Sequence, residues 1–164
     1  MQIPTSILRN LYGKSWPNVA ALVGDNCLTN AAFARKAGVY FVGCASHRFN
    51  LFMMDYISQY EETIGRVNTL MKKLRQLSLA AKLRRLANLL PKTRQQTRWS
   101  LTYEMSERFM TLRDFLMQLG ESEVDALLPS VTESRDLDRL LLELRDMNAV
   151  TLELQRDDLT VADV

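Results

Sequence analysis

Turn-forming residues are scarce in this chain, with six glycines and four prolines among 164 residues. So few backbone breaks do not suit a many-stranded sheet with frequent tight turns. They suit long helices joined by a small number of loops. A chain of this length buries one substantial core, enough for a domain or a domain with a helical appendage.

The spacing of apolar residues agrees. Residues 4–12 predict a short helix with Pro4 near its start. The apolar run 19–23 ends in Gly24-Asp25-Asn26 and predicts a buried strand that delivers Asp25 at its C-terminal end. Residues 29–37 read as a helix stopped by Gly38, and 39–42 as a second buried, β-branched and aromatic strand. Strand, helix, strand in that order is a βαβ unit with a parallel pair, which helices must cover.

Helical spacing then dominates. It runs through 45–62 with Phe49, Phe52, Met53, Tyr56 and Ile57. It continues over 64–90 with Val67, Leu70, Met71, Leu74, Leu77, Ala81, Leu86 and Leu90, ended by Pro91. Residues 99–119 repeat it before Gly120. Ser130 and Glu133 have the spacing of a capping box, opening a helix with Leu137, Leu140, Leu141, Leu144 and Met147 on one face. The residues 159–164 predict the start of another element. Two strands alone make no stable sheet. The fold class expected is therefore an α/β fragment, predominantly helical, with two short parallel strands running into an all-helical region.

Cys27 and Cys44 are too few for a disulfide framework and read as reduced thiols. No basic stretch followed by an apolar one opens the chain, and no apolar run approaches the roughly 20 residues of a membrane span. The expectation is an intracellular protein with no membrane partner.

The formal net charge of +2 conceals a polarity. Residues 66–98 hold ten basic side chains (Arg66, Lys72, Lys73, Arg75, Lys82, Arg84, Arg85, Lys92, Arg94 and Arg98) and no Asp or Glu. From Glu104 onward there are fifteen acidic residues against six arginines. Such a basic block binds nucleic acid, forms a solvated helix face, or docks on the chain's own acidic tail.

Few side chains could carry chemistry. Asp25, past a buried strand, stands where open α/β sheets place ligands, and a carboxylate there suits Mg²⁺; the plainer role for Asp25 and Asn26 is a turn or helix cap. Cys44 and His47 form C-x-x-H at a helix start. With Cys27 they give at most three zinc ligands, so a structural histidine or a helix-activated thiol are the other readings. Trp99 beside Arg98 fits either base stacking or a core position.

Taken in order, these residues resemble the hAT superfamily of DNA transposases. The carriers are Gly24-Asp25-Asn26 at a strand end, then Cys44-Ala45-Ser46-His47-Arg48-Phe49-Asn50-Leu51, then Arg98-Trp99 with Tyr103, Met105, Glu107 and Arg108. The resemblance covers about residues 19–119. It implies that 1–60 is part of an RNase H-like core and 61–164 a helical insertion. It further implies that Asp25 is one inherited metal-binding carboxylate and that Cys44 and His47 lie beside that site. Arg98 and Trp99 would contact DNA, Trp99 by stacking, and Lys72, Lys73, Arg75, Lys82, Arg84, Arg85, Lys92 and Arg94 would meet phosphates.

The family's metal site takes two Asp and one Glu. No acidic residue precedes Asp25, and no later glutamate stands in a matching context. The expectation is therefore weak DNA binding without catalysis: no cofactor in this chain, although Mg²⁺ serves the intact family, and a nuclear location if the role persists. The alternatives are a helical interaction module, self-associating or bound to another protein, and a relic without a nucleic-acid role.

Overall fold

The computed structural model describes residues 5–156 and 158. Pro4 and the element expected at 159–164 lie outside them. The chain divides into two compact units, Met1–Phe49 and Asn50–Val164.

The first unit holds helix α1 (Thr5–Tyr12), a 3-10 turn (Trp16–Asn18), strand β1 (Ala21–Gly24), helix α2 (Leu28–Ala37) and strand β2 (Tyr40–Gly43). The strands pair in parallel, Ala21 with Tyr40 through Gly24 with Gly43. Helix α2 is the crossover, and it ends on Gly38 at φ 68°, the left-handed conformation that glycine adopts without a Cβ penalty. Trp16 meets Phe33 of α2 edge-on, with ring centroids 5.8 Å apart. The expected βαβ unit is thus present, each strand shifted slightly along the chain. The strands are not buried as expected: Val23 and Tyr40 are exposed and the rest of both strands is half-buried. The reason is that, among the described residues, α2 is the one helix of this unit that packs against the pair to any extent.

Helix α3 (Ala45–Ser58) carries the division between the units. The sequence placed that division after residue 60. By contacts it falls earlier, because the later part of α3 buries Met53 and Ile57 with the helical unit.

That unit continues with α4 (Glu61–Leu74), α5 (Leu77–Ala87), α6 (Trp99–Met117), the single turn α7 (Ser122–Asp125) and α8 (Val131–Glu153). Helix α6 is its centre, packing against α4, α5, α7 and α8. It buries Trp99, Met105, Phe109, Leu112 and Leu116 against Val67, Leu70, Met71 and Leu74 of α4 and Leu137, Leu140 and Leu144 of α8. Full burial of side chains this size contributes roughly 1.5–3 kcal/mol each. The capping box of α8 is formed: Glu133 N–H donates to Ser130 Oγ at 3.2 Å, and Ser130 N–H to Glu133 Oε2 at 2.8 Å. Hydrogen bonding to the Ser130 side chain and backbone N–H holds the Glu133 carboxyl below its usual range.

Other expectations need correction as well. On α3, Phe52 faces solvent while Met53 and Ile57 are buried. Residues 64–90 are two helices, broken at Arg75-Gln76. The break turns the apolar stripe, so α5 buries Leu79 and Leu83 while Leu77, Leu86 and Leu90 face solvent. On α8, Met147 is 37% exposed, because the buried stripe runs through Leu137, Leu140 and Leu144 and then to Thr151.

Between α3 and α8 the Tyr56 hydroxyl donates to the Glu143 carboxylate. That bond, aided by burial and the glutamate's charge, pushes the phenol up to about 12. Since the folded value lies above the unfolded one, the bond's stabilisation is complete below about pH 10 and fades as the pH rises towards 12. In an alkaline absorbance titration one tyrosine should ionise last. Glu143→Gln should return it towards 10; an unchanged curve would rule out the pairing.

Candidate functional site

Residues singled out in the sequence gather at two places, one in each unit. The first is the C-terminal end of the parallel pair. Because Gly24 and Gly43 are register partners, the segments after them emerge side by side. Cys44 N–H donates to Gly24 O at 2.7 Å, which ties the Asp25 turn to the start of α3. The close approach of the two segments favours glycine here: a Cβ on Gly43 would collide with the Asn26 side-chain oxygen. Asp25 is exposed, and its carboxylate and carbonyl both accept from the Asn30 amide of α2, the carbonyl at 3.2 Å. Asp25 therefore acts as a turn residue closed by Asn30 in this conformation. Cys27 is the N-cap residue of α2 and is exposed.

The fold thus brings Asp25, Cys44 and His47 to one sheet end. Asp25 is the sole carboxylate in residues 1–49. Among the described residues no group of three or more His, Cys, Asp or Glu side chains is placed to hold a metal ion.

The second place is the basic segment of the helical unit. Half of its ten cations are paired with the chain's own carboxylates, four of them with the acidic part of the chain. Lys73 pairs with Glu123 and Lys82 with Glu121. Lys92 meets Glu104 at 2.7 Å and Arg66 meets Glu133 at 3.3 Å. Arg94 grips Glu61 with both ends of its fork, at 2.5 and 2.7 Å. The hydrogen bonds from Arg94 hold the Glu61 carboxyl low, and the same bonds raise the Arg94 guanidinium further. Arg94 is also fixed through its backbone N–H, which donates to Asn68 Oδ1 at 3.3 Å. The other half, Lys72, Arg75, Arg84, Arg85 and Arg98, are exposed and have no carboxylate partner among the described residues.

Trp99 does not sit as the resemblance implied. Its side chain is 1% exposed, and its indole Nε1–H donates to Thr151 Oγ1 of α8 at 3.2 Å. A ring enclosed to this degree offers no face to a base, so its place here is the core.

Asn50, in the C-x-x-H-x-x-N-L run, has a role that its spacing does not announce. The Asn50 side-chain N–H donates to Thr97 O at 3.0 Å, while its Oδ1 accepts from Trp99 N–H at 3.1 Å. It thereby satisfies a first-turn amide of α6 and anchors the Arg98-Trp99 segment. Asn50→Ala should lower stability by about 1–3 kcal/mol through these two bonds, measured by thermal melting. A melt indistinguishable from the parent would remove that anchoring role.

Among the described residues no helix is long and apolar enough to cross a membrane. Comparison of the chain with protein-family models, curated proteins and solved structures returns no match.

Proposed function

We propose that this chain is a DNA-binding protein of transposase descent, similar to the hAT superfamily, with an incomplete RNase H-like segment followed by a helical insertion. The observation carrying the DNA reading is the set of five exposed cations without carboxylate partners among the described residues, Lys72, Arg75, Arg84, Arg85 and Arg98, in a stretch free of acidic residues. Cations spread along exposed helix faces neutralise phosphates without reading sequence, so the binding is weak, sequence-tolerant and salt-sensitive. Asp25 is the one inherited carboxylate identified, which leaves the chain without a metal-dependent cleavage centre. A nuclear location goes with this role.

The test is fluorescence anisotropy of labelled duplex DNA with the full chain, from low to physiological salt. Binding that weakens with salt supports the reading. Absence of binding at low salt, with the chain folded by circular dichroism, overturns it. Mg²⁺-dependent cleavage abolished by Asp25→Asn would overturn the catalytic part alone.

Exposed apolar side chains favour a second reading. Leu142, Val150 and Leu152 of α8 and Phe52 of α3 stand at 43–63% exposure. They suit packing against a helical partner or a second copy, which sedimentation at rising concentration would reveal.

A further inference from the structure

The helical unit contains a cleft of about 470 Å³ between the stretch 75–84, the loop 90–93 and the start of α6. That volume exceeds what a bare anion needs and falls within the range of small-molecule sites. Its chemistry is divided. Ala80, Leu90, Pro91 and Leu101 give an apolar surface, while Arg75, Arg84 and Lys92 bring three cations against the single carboxylate of Glu104.

Glu104 is occupied by Lys92 at 2.7 Å, so the charge left over belongs to the two arginines. Arg75 spends one N–H on Thr93 Oγ1 at 3.3 Å, and the Arg84 guanidinium has no hydrogen-bond or ion-pair partner among the described residues. A free guanidinium fork matches the paired oxygens of a phosphate. The wall is pinned in place before any ligand arrives. Arg108 Nη1–H donates to Leu90 O at 2.9 Å, Pro91 is buried, and the next turn of chain is tied by Arg94 N–H to Asn68.

We infer that this cleft binds a phosphomonoester carried on a planar, partly apolar body: a nucleoside monophosphate, free or at the phosphorylated end of a strand. The phosphate sits between Arg75 and Arg84, and the body lies against Leu90, Pro91 and Leu101. The inference rests on the cleft rather than on the DNA reading, although Arg75 and Arg84 are also two of the five cations of that reading. A backbone phosphodiester would be gripped anywhere along the exposed cations, whereas the cleft admits one group with a terminal dianionic phosphate.

The test titrates the full chain at low salt with adenosine monophosphate, adenosine and inorganic phosphate by calorimetry. It then compares duplexes ending in 5′-phosphate and 5′-hydroxyl by anisotropy. The monophosphate should bind one to one and more tightly than adenosine or phosphate. Arg84→Ala and Arg75→Ala should each weaken it about tenfold or more, the loss expected for a charged hydrogen-bonding partner. Arg139→Ala, on an exposed arginine of α8 outside the cleft, should leave it unchanged. Gain from a 5′-phosphate that vanishes in Arg84→Ala identifies a strand end as the source. Monophosphate binding with no such gain identifies a free nucleotide. No monophosphate binding, or binding indifferent to both arginine variants, overturns the inference. Salt-sensitive duplex binding in that case would leave the proposed DNA function standing, and monophosphate binding without duplex binding would do the reverse.

Discussion

Trp99→Ala should destabilise the helical unit by about 3–5 kcal/mol, the range for deleting a large buried aromatic. The ring is 1% exposed at the start of the central helix, tilted against Tyr103 with centroids 6.3 Å apart. Its loss opens a void at the meeting of α6 with α8, where α6 has its most extensive helix contact. The hydrogen bond to Thr151 adds less, because the Thr151 hydroxyl can still donate to Met147 O at 3.2 Å. Most of the effect is therefore packing, and Trp99→Phe should recover a large part of it. Urea unfolding followed by circular dichroism gives the number. A loss under about 1 kcal/mol would mean that the indole is not enclosed as described. It would also restore a stacking role, since a ring free to reach DNA contributes little to the core. Any test of Trp99 in DNA binding must accordingly be run on protein shown to be folded.

Local signals in the sequence carried over well, and long-range ones did not. Gly38 ends α2 in the left-handed conformation, and Ser130 with Glu133 closes its capping box, because both features depend on neighbours within a few residues. The parallel pairing of β1 and β2 followed from the order strand, helix, strand, with a connection too long for a hairpin. The break at Arg75-Gln76 was illegible. Both are good helix formers, so propensity gives no sign that α4 ends there. The short helix α7 was missed because one turn has no periodicity to read.

At the candidate sites the same division holds. The resemblance implied that Cys44 and His47 lie beside Asp25, and the parallel pairing brings the segments after Gly24 and Gly43 to one sheet end. Asn50 holds Thr97 and Trp99 across nearly fifty residues, a relation no local spacing reveals. The ion pairs of the basic block are of that kind too. Lys82 finds Glu121 and Lys73 finds Glu123 because α7 packs against α4 and α6, so the number of free cations depends on the fold.

That number sets the second large effect. Each phosphate neutralised by Lys or Arg adds about −0.9 to the slope of log affinity against log salt. If the five cations without carboxylate partners make the contacts, the slope should be about −4.5, and affinity should fall several hundredfold between about 50 and 200 mM salt. If all ten basic side chains reach phosphates, the slope approaches about −9, and the pairs with Glu61, Glu104, Glu121, Glu123 and Glu133 must open on binding. The shallower value is expected because the paired lysines and arginines already have a carboxylate within reach, and releasing it to meet a phosphate exchanges one ion pair for another with little gain. Arg84→Glu combined with Arg85→Glu should lower the slope by about 2 and weaken low-salt binding at least tenfold. Glu121→Gln and Glu123→Gln should act in the opposite sense by freeing Lys82 and Lys73 for phosphates. A steep slope that the glutamine variants leave unchanged would mean that the acidic half of the chain does not restrain the basic half in solution.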